Sequence, residues 1–282
     1  MPIIGAHVST AGGLSMVAQN ANRIGAQALQ IFGASPRQWQ AKIPEKIEVS
    51  KYQAELKKYK LGPVFLHAAY LVNLASPDEM IRAKSIMSLT AHLKISEAIG
   101  AEGLIFHVGS GKEAPKEEAM SHIIEGVKKV LKEVPGQAKI ILENSAGGGQ
   151  KLGSNAKEVG QLLEKINSPR AKVCFDTAHA FEAGIIESYS PENIKKLFDE
   201  WDRGVGLENF AALHVNDSKT AFNSHNDRHE NLGEGFIGLN GFKNLAKEKR
   251  INILPWLLEV PGFDNLGPDK ENVEILKKCF VV

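Results

Sequence analysis

Eight short runs rich in apolar and β-branched residues recur along the chain of 282 residues, and each closes on a glycine, serine, asparagine or turn. They are IIGAHVS (3–9), ALQIFGAS (28–35), VFLHA (64–68), GLIFHVGS (103–110), KIILENS (139–145), KVCFDTAHA (172–180), AALHVNDS (211–218) and ILPWLLEVPG (253–262). Between them lie segments such as MIRAKSIMSLTAHLKISEAIG (80–100) and KEEAMSHIIEGVKKVLKEV (116–134), whose apolar residues fall at helical spacing. Alternation of strand and helix dictates parallel strands joined by helical crossovers. Eight such units predict an α/β architecture, a single closed (β/α)8 TIM barrel. The rival, an open doubly wound sheet, normally carries a G-x-G-x-x-G turn after its first strand, and STAGGL (9–14) lacks that spacing. No linker or low-complexity segment divides the chain, so residues 1–282 read as one domain.

Composition narrows the class without naming a partner. With 43% apolar and 24% charged residues, the chain is globular in character. No stretch of about 18 uncharged apolar residues is long enough to span a membrane. The opening MPIIGAHVSTAGG lacks the basic region and apolar run of a signal peptide, and a cytoplasmic location is expected. Cys174 and Cys279 suggest neither a disulfide framework nor a zinc finger, and Cys174 within KVCF reads as a small buried hydrophobe. A net charge of +1 neither advertises nor forbids nucleic-acid binding, because a local basic patch or bound cations can attract phosphate.

The strand ends carry the chemistry. Reading each run toward its C-terminus gives His7, Phe32, His67, His107, Glu143, Asp176, His214 and Glu259, seven of them able to bind metal or move protons. Side chains at the C-terminal ends of barrel strands converge on one rim. Buried carboxylates and imidazoles packed together repel or stay unpaired unless cations hold them, which points to a metal site there. His179 in DTAH, and Asp227 and His229 in DRHENLGEG (227–235), extend the candidates to nine: His67, His107, Glu143, Asp176, His179, His214, Asp227, His229 and Glu259. A zinc ion takes three or four protein ligands, so nine side chains suit two or three ions with a bridging carboxylate. Five imidazoles, four carboxylates and no thiolate suit zinc or manganese better than calcium.

The chain resembles the type IV apurinic/apyrimidinic endonucleases of DNA base excision repair over nearly its whole length. The resemblance rests on GAHVSTAGGL (5–14), RQW (37–39), HAAYLVNLAS (67–76), LENSAGGG (142–149), CFDTAHAFEAG (174–184), HVNDSK (214–219), DRHENLGEG (227–235) and LLEVPG (257–262). It implies a trinuclear Zn2+ centre, with Mn2+ an acceptable substitute at one site. The first ion would take His67 and His107, with Glu143 bridging to the second. Asp176, His214 and Glu259 would complete the second; His179, Asp227 and His229 would hold the third. Glu143 would be the catalytic carboxylate that positions the hydroxide attacking phosphorus. The implied substrate is double-stranded DNA carrying an abasic site, cut on its 5′ side to leave a 3′-hydroxyl and a 5′-deoxyribose phosphate, with trimming of blocked 3′ ends besides. A monomer acting on the duplex is expected.

Arg37 and Tyr70 match family positions that insert at the lesion, where a wedge side chain fills the gap left by an extruded nucleotide. Ser35 and Ala68 stand where some relatives carry asparagine and aspartate, which leaves the finer DNA contacts open. His7 has no place among the nine ligands, so hydrogen bonding behind them and plain packing both remain open. His92, His122, Trp39 and Trp256 read as packing or surface residues, and His225 has no ligand role. The competing readings are a metal-dependent sugar isomerase or epimerase on the same barrel, and a catalytically silent binder of damaged DNA. The isomerase needs neither the third set of ligands nor Arg37 and Tyr70; the silent binder would lack a ligand.

Overall fold

Every one of the eight runs contributes a strand in the computed structural model, which describes residues 1–281. The barrel strands are β1 (Ile4–His7), β2 (Ala28–Phe32), β3 (Val64–His67), β4 (Gly103–His107), β5 (Lys139–Glu143), β6 (Ala171–Asp176), β7 (Phe210–His214) and β10 (Trp256–Leu258). They close in the order β1-β10-β7-β6-β5-β4-β3-β2, all neighbours parallel. The major helices are α1 (Val17–Ile24), α2 (Lys46–Tyr59), α3 (Glu79–Ile99), α4 (Lys116–Glu133), α5 (Ala156–Ile166), α6 (Thr177–Glu182), α7 (Pro191–Val205), α8 (Gly238–Leu245) and α9 (Lys270–Lys278). A short antiparallel pair, β8 (Asp217–Ser218) with β9 (His229–Glu230), lies outside the barrel wall. The last run is shorter than its apolar pattern suggests. Its strand starts only at Trp256, after Pro255, a residue with no N–H to give a ladder.

Two apolar layers hold the barrel. The outer one packs the helices on the wall and contains Trp201, Phe175, Phe198 and Trp256. The inner one is a plug of Ala28, Phe65, Ile105, Ile141, Cys174, Ala212 and Leu257, one residue from each of seven strands. Side chains alternate along a strand, so the residue two places further on faces the same interior. Two places beyond the plug lie Gln30, His67, His107, Glu143, Asp176, His214 and Glu259. Gly5 fills the corresponding register place on β1, paired with Ala28 and Leu257, and is followed by His7. The polar ring above the plug thus follows from the pleat.

Register sets which members of the ring are neighbours. His107 pairs with Glu143, and Asp176 pairs with His214. The second pairing depends on a bulge: Val173 pairs with Phe210 but Cys174 pairs with Ala212. Without that one-residue shift Asp176 would face Leu213, and its carboxylate would lie one position from the imidazole it now meets. Among the described residues, no helix is long and apolar enough to cross a membrane.

Candidate metal centre

Six of the nine candidate ligands, His67, His107, His179, Asp227, His229 and Glu259, line a cleft of about 990 Å³ at the C-terminal mouth of the barrel, and the other three, Glu143, Asp176 and His214, are fully buried. The nitrogen and oxygen atoms of the nine fall into four overlapping groups: His67, His107 and Glu143; Glu143, Asp176, His214 and Glu259; His107, His179 and Asp227; and Asp176, His179 and His229. Glu143 is fully buried and belongs to the first two. Its Oε2 lies 3.1 Å from His67 Nε2 and 3.6 Å from His107 Nε2, while Oε1 lies 2.8 Å from His214 Nδ1. One carboxylate thus presents separate oxygens to two clusters.

Asp176 ends β6 and caps α6: its Oδ1 accepts from the backbone N–H of His179 at 2.8 Å. That bond fixes His179 in the first turn, and Oδ2 lies 3.8 Å from His214 Nδ1 and 3.7 Å from His229 Nε2. Asp227 and His229 arrive differently, on the long loop that β8 and β9 fold back over the mouth. Asp227 Oδ1 is 3.3 Å from His179 Nε2 and 3.8 Å from His229 Nε2. They are therefore not a freely solvated stretch; the loop holds them against α6.

The imidazoles are oriented from behind. His67 Nδ1 donates to the Ala68 carbonyl at 2.9 Å, and His179 Nδ1 donates to the Asn144 carbonyl at 2.8 Å. A carbonyl accepts only from a protonated nitrogen, so each ring turns its Nε2 to the cleft. The Nε2 atoms of His179 and His229 are buried and have no hydrogen-bond partner. An orphaned ring nitrogen beside carboxylates is what a ligand looks like before its cation is counted.

Electrostatics point the same way. Burial pushes the Glu143 carboxyl up, but the imidazoles of His107, His214 and His67 outweigh it and hold the group well below its usual range. Burial pulls His179 down, yet Asp176, Asp227 and Glu143 raise it well above the ordinary imidazole value. Around His214 Nδ1 stand three carboxylates, with Glu143 Oε1 at 2.8 Å, Glu259 Oε2 at 3.1 Å and Asp176 Oδ2 at 3.8 Å. Burial pushes the Glu143 and Glu259 carboxyls up, and the neighbouring imidazoles, His214 foremost for Glu259, hold both below the usual carboxylate range. Divalent cations supply positive charge without requiring adjacent buried imidazoles to be protonated together. The donor set, all nitrogen and oxygen with no sulfur, fits zinc or manganese.

Several contributors were not legible as site residues. Asn216 donates to Asp176 Oδ2 at 2.7 Å and accepts from the Glu259 N–H at 2.7 Å. Asn144 accepts from the Asp176 N–H at 2.6 Å and donates to its carbonyl at 3.1 Å. On β2 the rim position read from sequence was Phe32, yet the ring member is Gln30, two places past the plug. Only counting in steps of two from Ala28 would have found it. Tyr70 lines the cleft and is 66% exposed, and its N–H donates to the Pro36 carbonyl at 3.0 Å, tying it to the loop that carries exposed Arg37. His225 packs in the loop with φ of 58°, and His92 and Trp256 are buried packing residues.

Residues 18–279 match the family described as xylose isomerase-like TIM barrel. A relative from Aquifex aeolicus, "Probable endonuclease 4", is 37% identical over 281 residues, covering 99% of this chain and 98% of that protein. The crystal structure of endonuclease IV from Thermus thermophilus superposes with a TM-score of 0.86 at 31% identity, covering 99% and 98% of the two chains. A D-tagatose 3-epimerase-like protein superposes at 0.70 with 18% identity over 98% and 96%, a likeness of fold alone.

Proposed function

Because this chain belongs to the endonuclease 4 family of xylose isomerase-like TIM barrels, and is a DNA repair endonuclease, we propose that its one barrel domain, residues 1–282, cuts duplex DNA on the 5′ side of abasic sites with three zinc ions. The observation that carries this reading is the number and sharing of ligands. Nine nitrogen and oxygen donors exceed what one ion uses, and their division into overlapping groups, with Glu143 in two and His179 in two others, supports three. The assignment is His67, His107 and Glu143 for the first ion; Glu143, Asp176, His214 and Glu259 for the second; His179, Asp227 and His229 for the third. Manganese can replace zinc at one of them.

Zinc ions so held supply a water of lowered pKa and a clamp on the attacking and leaving oxygens of a phosphodiester. The chain's own residues do the rest. Glu143 spans the two inner clusters, and its fixed oxygens orient the attacking group. Asp227 and His229, on the loop over the mouth, meet the side of the phosphodiester from which the 3′ oxygen leaves. Tyr70, exposed at the cleft, and Arg37, exposed on the loop to which Tyr70 is tied, would fill the duplex where the abasic sugar leaves the stack. The products are a 3′-hydroxyl and a 5′-deoxyribose phosphate, and the same phosphodiester chemistry trims blocked 3′ ends. The protein acts as a monomer in the cytoplasm.

The test is incision of an abasic duplex before and after chelation, with Glu143→Ala beside it. The expected result is zinc-restored nicking in the native protein, none in Glu143→Ala, and matching far-ultraviolet circular dichroism. Chelator-resistant nicking, or activity retained by Glu143→Ala, contradicts the reading. Turnover of ketoses with no nicking would favour the sugar isomerase or epimerase instead.

A further inference from the structure

Gln30 is fully buried in the polar ring, and its single amide touches three members of that ring. Its Nε2 donates one hydrogen toward Glu259 Oε1 and the other toward His7 Nδ1 at 3.0 Å. Its Oε1 lies 2.7 Å from His214 Nε2. The amide can sit only one way round. Turned over, its oxygen would face the Glu259 carboxylate, two acceptors with no hydrogen between them. With Oε1 fixed against His214, the imidazole must carry its proton on Nε2, and Nδ1 is the nitrogen presented to Glu143, Glu259 and Asp176.

We propose that Gln30 is a positioning residue: it selects the ring nitrogen with which His214 binds metal and fixes the carboxylate of Glu259, with His7 as the acceptor that locks the amide. His67 and His179 are held by backbone carbonyls, which substitution leaves in place. His214 is held by a side-chain amide, so its orientation can be removed by changing one residue. His7 acquires a role on the same ground. Its Nδ1 accepts from Gln30, its own proton is on Nε2, and its ring rests on Phe32 with centroids 4.4 Å apart. The proposal rests on the reading of His214 and Glu259 as ligands.

The test compares the wild-type protein with Gln30→Met, which keeps the length of the side chain and removes its hydrogen bonds. Zinc affinity is read by competition with a chromophoric chelator, and the visible spectrum is taken after cobalt(II) loading. Gln30→Met should keep its circular dichroism and bind one of its zinc ions about 10- to 100-fold less tightly, the usual effect of losing a group that orients a ligand. Its cobalt bands should shift. His7→Phe, which keeps a ring on Phe32, should weaken zinc by less. Unchanged affinity and an unchanged cobalt spectrum in Gln30→Met overturn the proposal. Should that variant fail to fold, imidazole nitrogen NMR of the wild-type protein decides: a proton on His214 Nε2 supports the proposal, and one on Nδ1 alone overturns it. Absence of zinc uptake by the wild-type protein would overturn the ligand reading as well, which separates the two failures.

Discussion

His179 Nε2 lies 3.3 Å from Asp227 Oδ1, although 48 positions separate the residues and they come from different segments. The first turn of α6 fixes one, and the loop between β8 and β9 brings the other. If this pair, with His229, holds the third ion, Asp227→Ala should reduce bound zinc from about three to about two per chain. Incision should fall by at least about 100-fold, the scale of losing one group that stabilises charge in the transition state. Elemental analysis paired with single-turnover incision measures both. Full zinc content with weakened incision would place the third ion elsewhere.

Asp217 holds the segment that follows β9 in place. Its buried carboxylate accepts from the backbone N–H groups of Ser218 at 2.9 Å, Gly233 at 2.9 Å, Gly235 at 3.2 Å, Ile237 at 2.9 Å and Gly238 at 3.2 Å. Gly233 takes a φ of 91°, a conformation that suits glycine. Asp217→Ala strands these donors at about 1–3 kcal/mol for each that stays buried without water. We expect a melting temperature lowered by several degrees and faster amide exchange at residues 229–238 than in the barrel strands. Uniform exchange across the molecule would contradict the local role.

Tyr70 and Arg37 should separate in their effects on binding. Tyr70→Ala removes an exposed ring at the cleft and should weaken binding to abasic duplex by about 1–3 kcal/mol, the range of aromatic stacking on a base, while sparing undamaged duplex. Arg37→Ala should weaken both duplexes and flatten the dependence of log Kd on log salt by about one unit. Fluorescence anisotropy over a salt series reads both. Equal loss on damaged and undamaged DNA in Tyr70→Ala would remove its wedge role.

Glu182 gives a pH prediction. Its Oε1 accepts from Ser218 Oγ at 2.7 Å, Oε2 is unpartnered, and burial pushes the carboxyl up to about 7 against the partly offsetting Ser218 bond. An ordinary glutamate loses its proton at about 4.3, so between that pH and about 7 the folded chain holds a proton that the unfolded chain has lost. This group's contribution to stability is therefore full below the unfolded value, falls as pH rises through the window, and is level above it. Urea unfolding of Glu182→Gln should show a shallower fall over that window than the native protein. Identical slopes would mean that Glu182 titrates normally.

The barrel was legible because its signal is repeated eight times, and six of the ligands because an imidazole or carboxylate lies two residues past the apolar plug on six strands; His179, Asp227 and His229 were marked only by DTAH and DRHENLGEG. What hid was whatever depends on register. Nothing in KVCF announces the bulge that moves Asp176 opposite His214. Gln30 is a neutral amide inside an apolar run, and period two from Ala28 is its only mark. Asn144 and Asn216 follow ligands by one and two positions, but their work is to hold backbone and carboxylate across strands, a relation visible only once β5, β6, β7 and β10 are adjacent. Asp217 looks like any loop aspartate until five amides, from Ser218 and from a segment 16 to 21 residues on, close around it.

The central claim is three metal ions on these nine side chains, and anomalous diffraction at the zinc edge from zinc-loaded crystals tests it most directly. The account predicts three peaks: one among His67, His107 and Glu143, one among Glu143, Asp176, His214 and Glu259, and one among His179, Asp227 and His229. One or two peaks, with Asp227 and His229 bound to nothing, would contradict it.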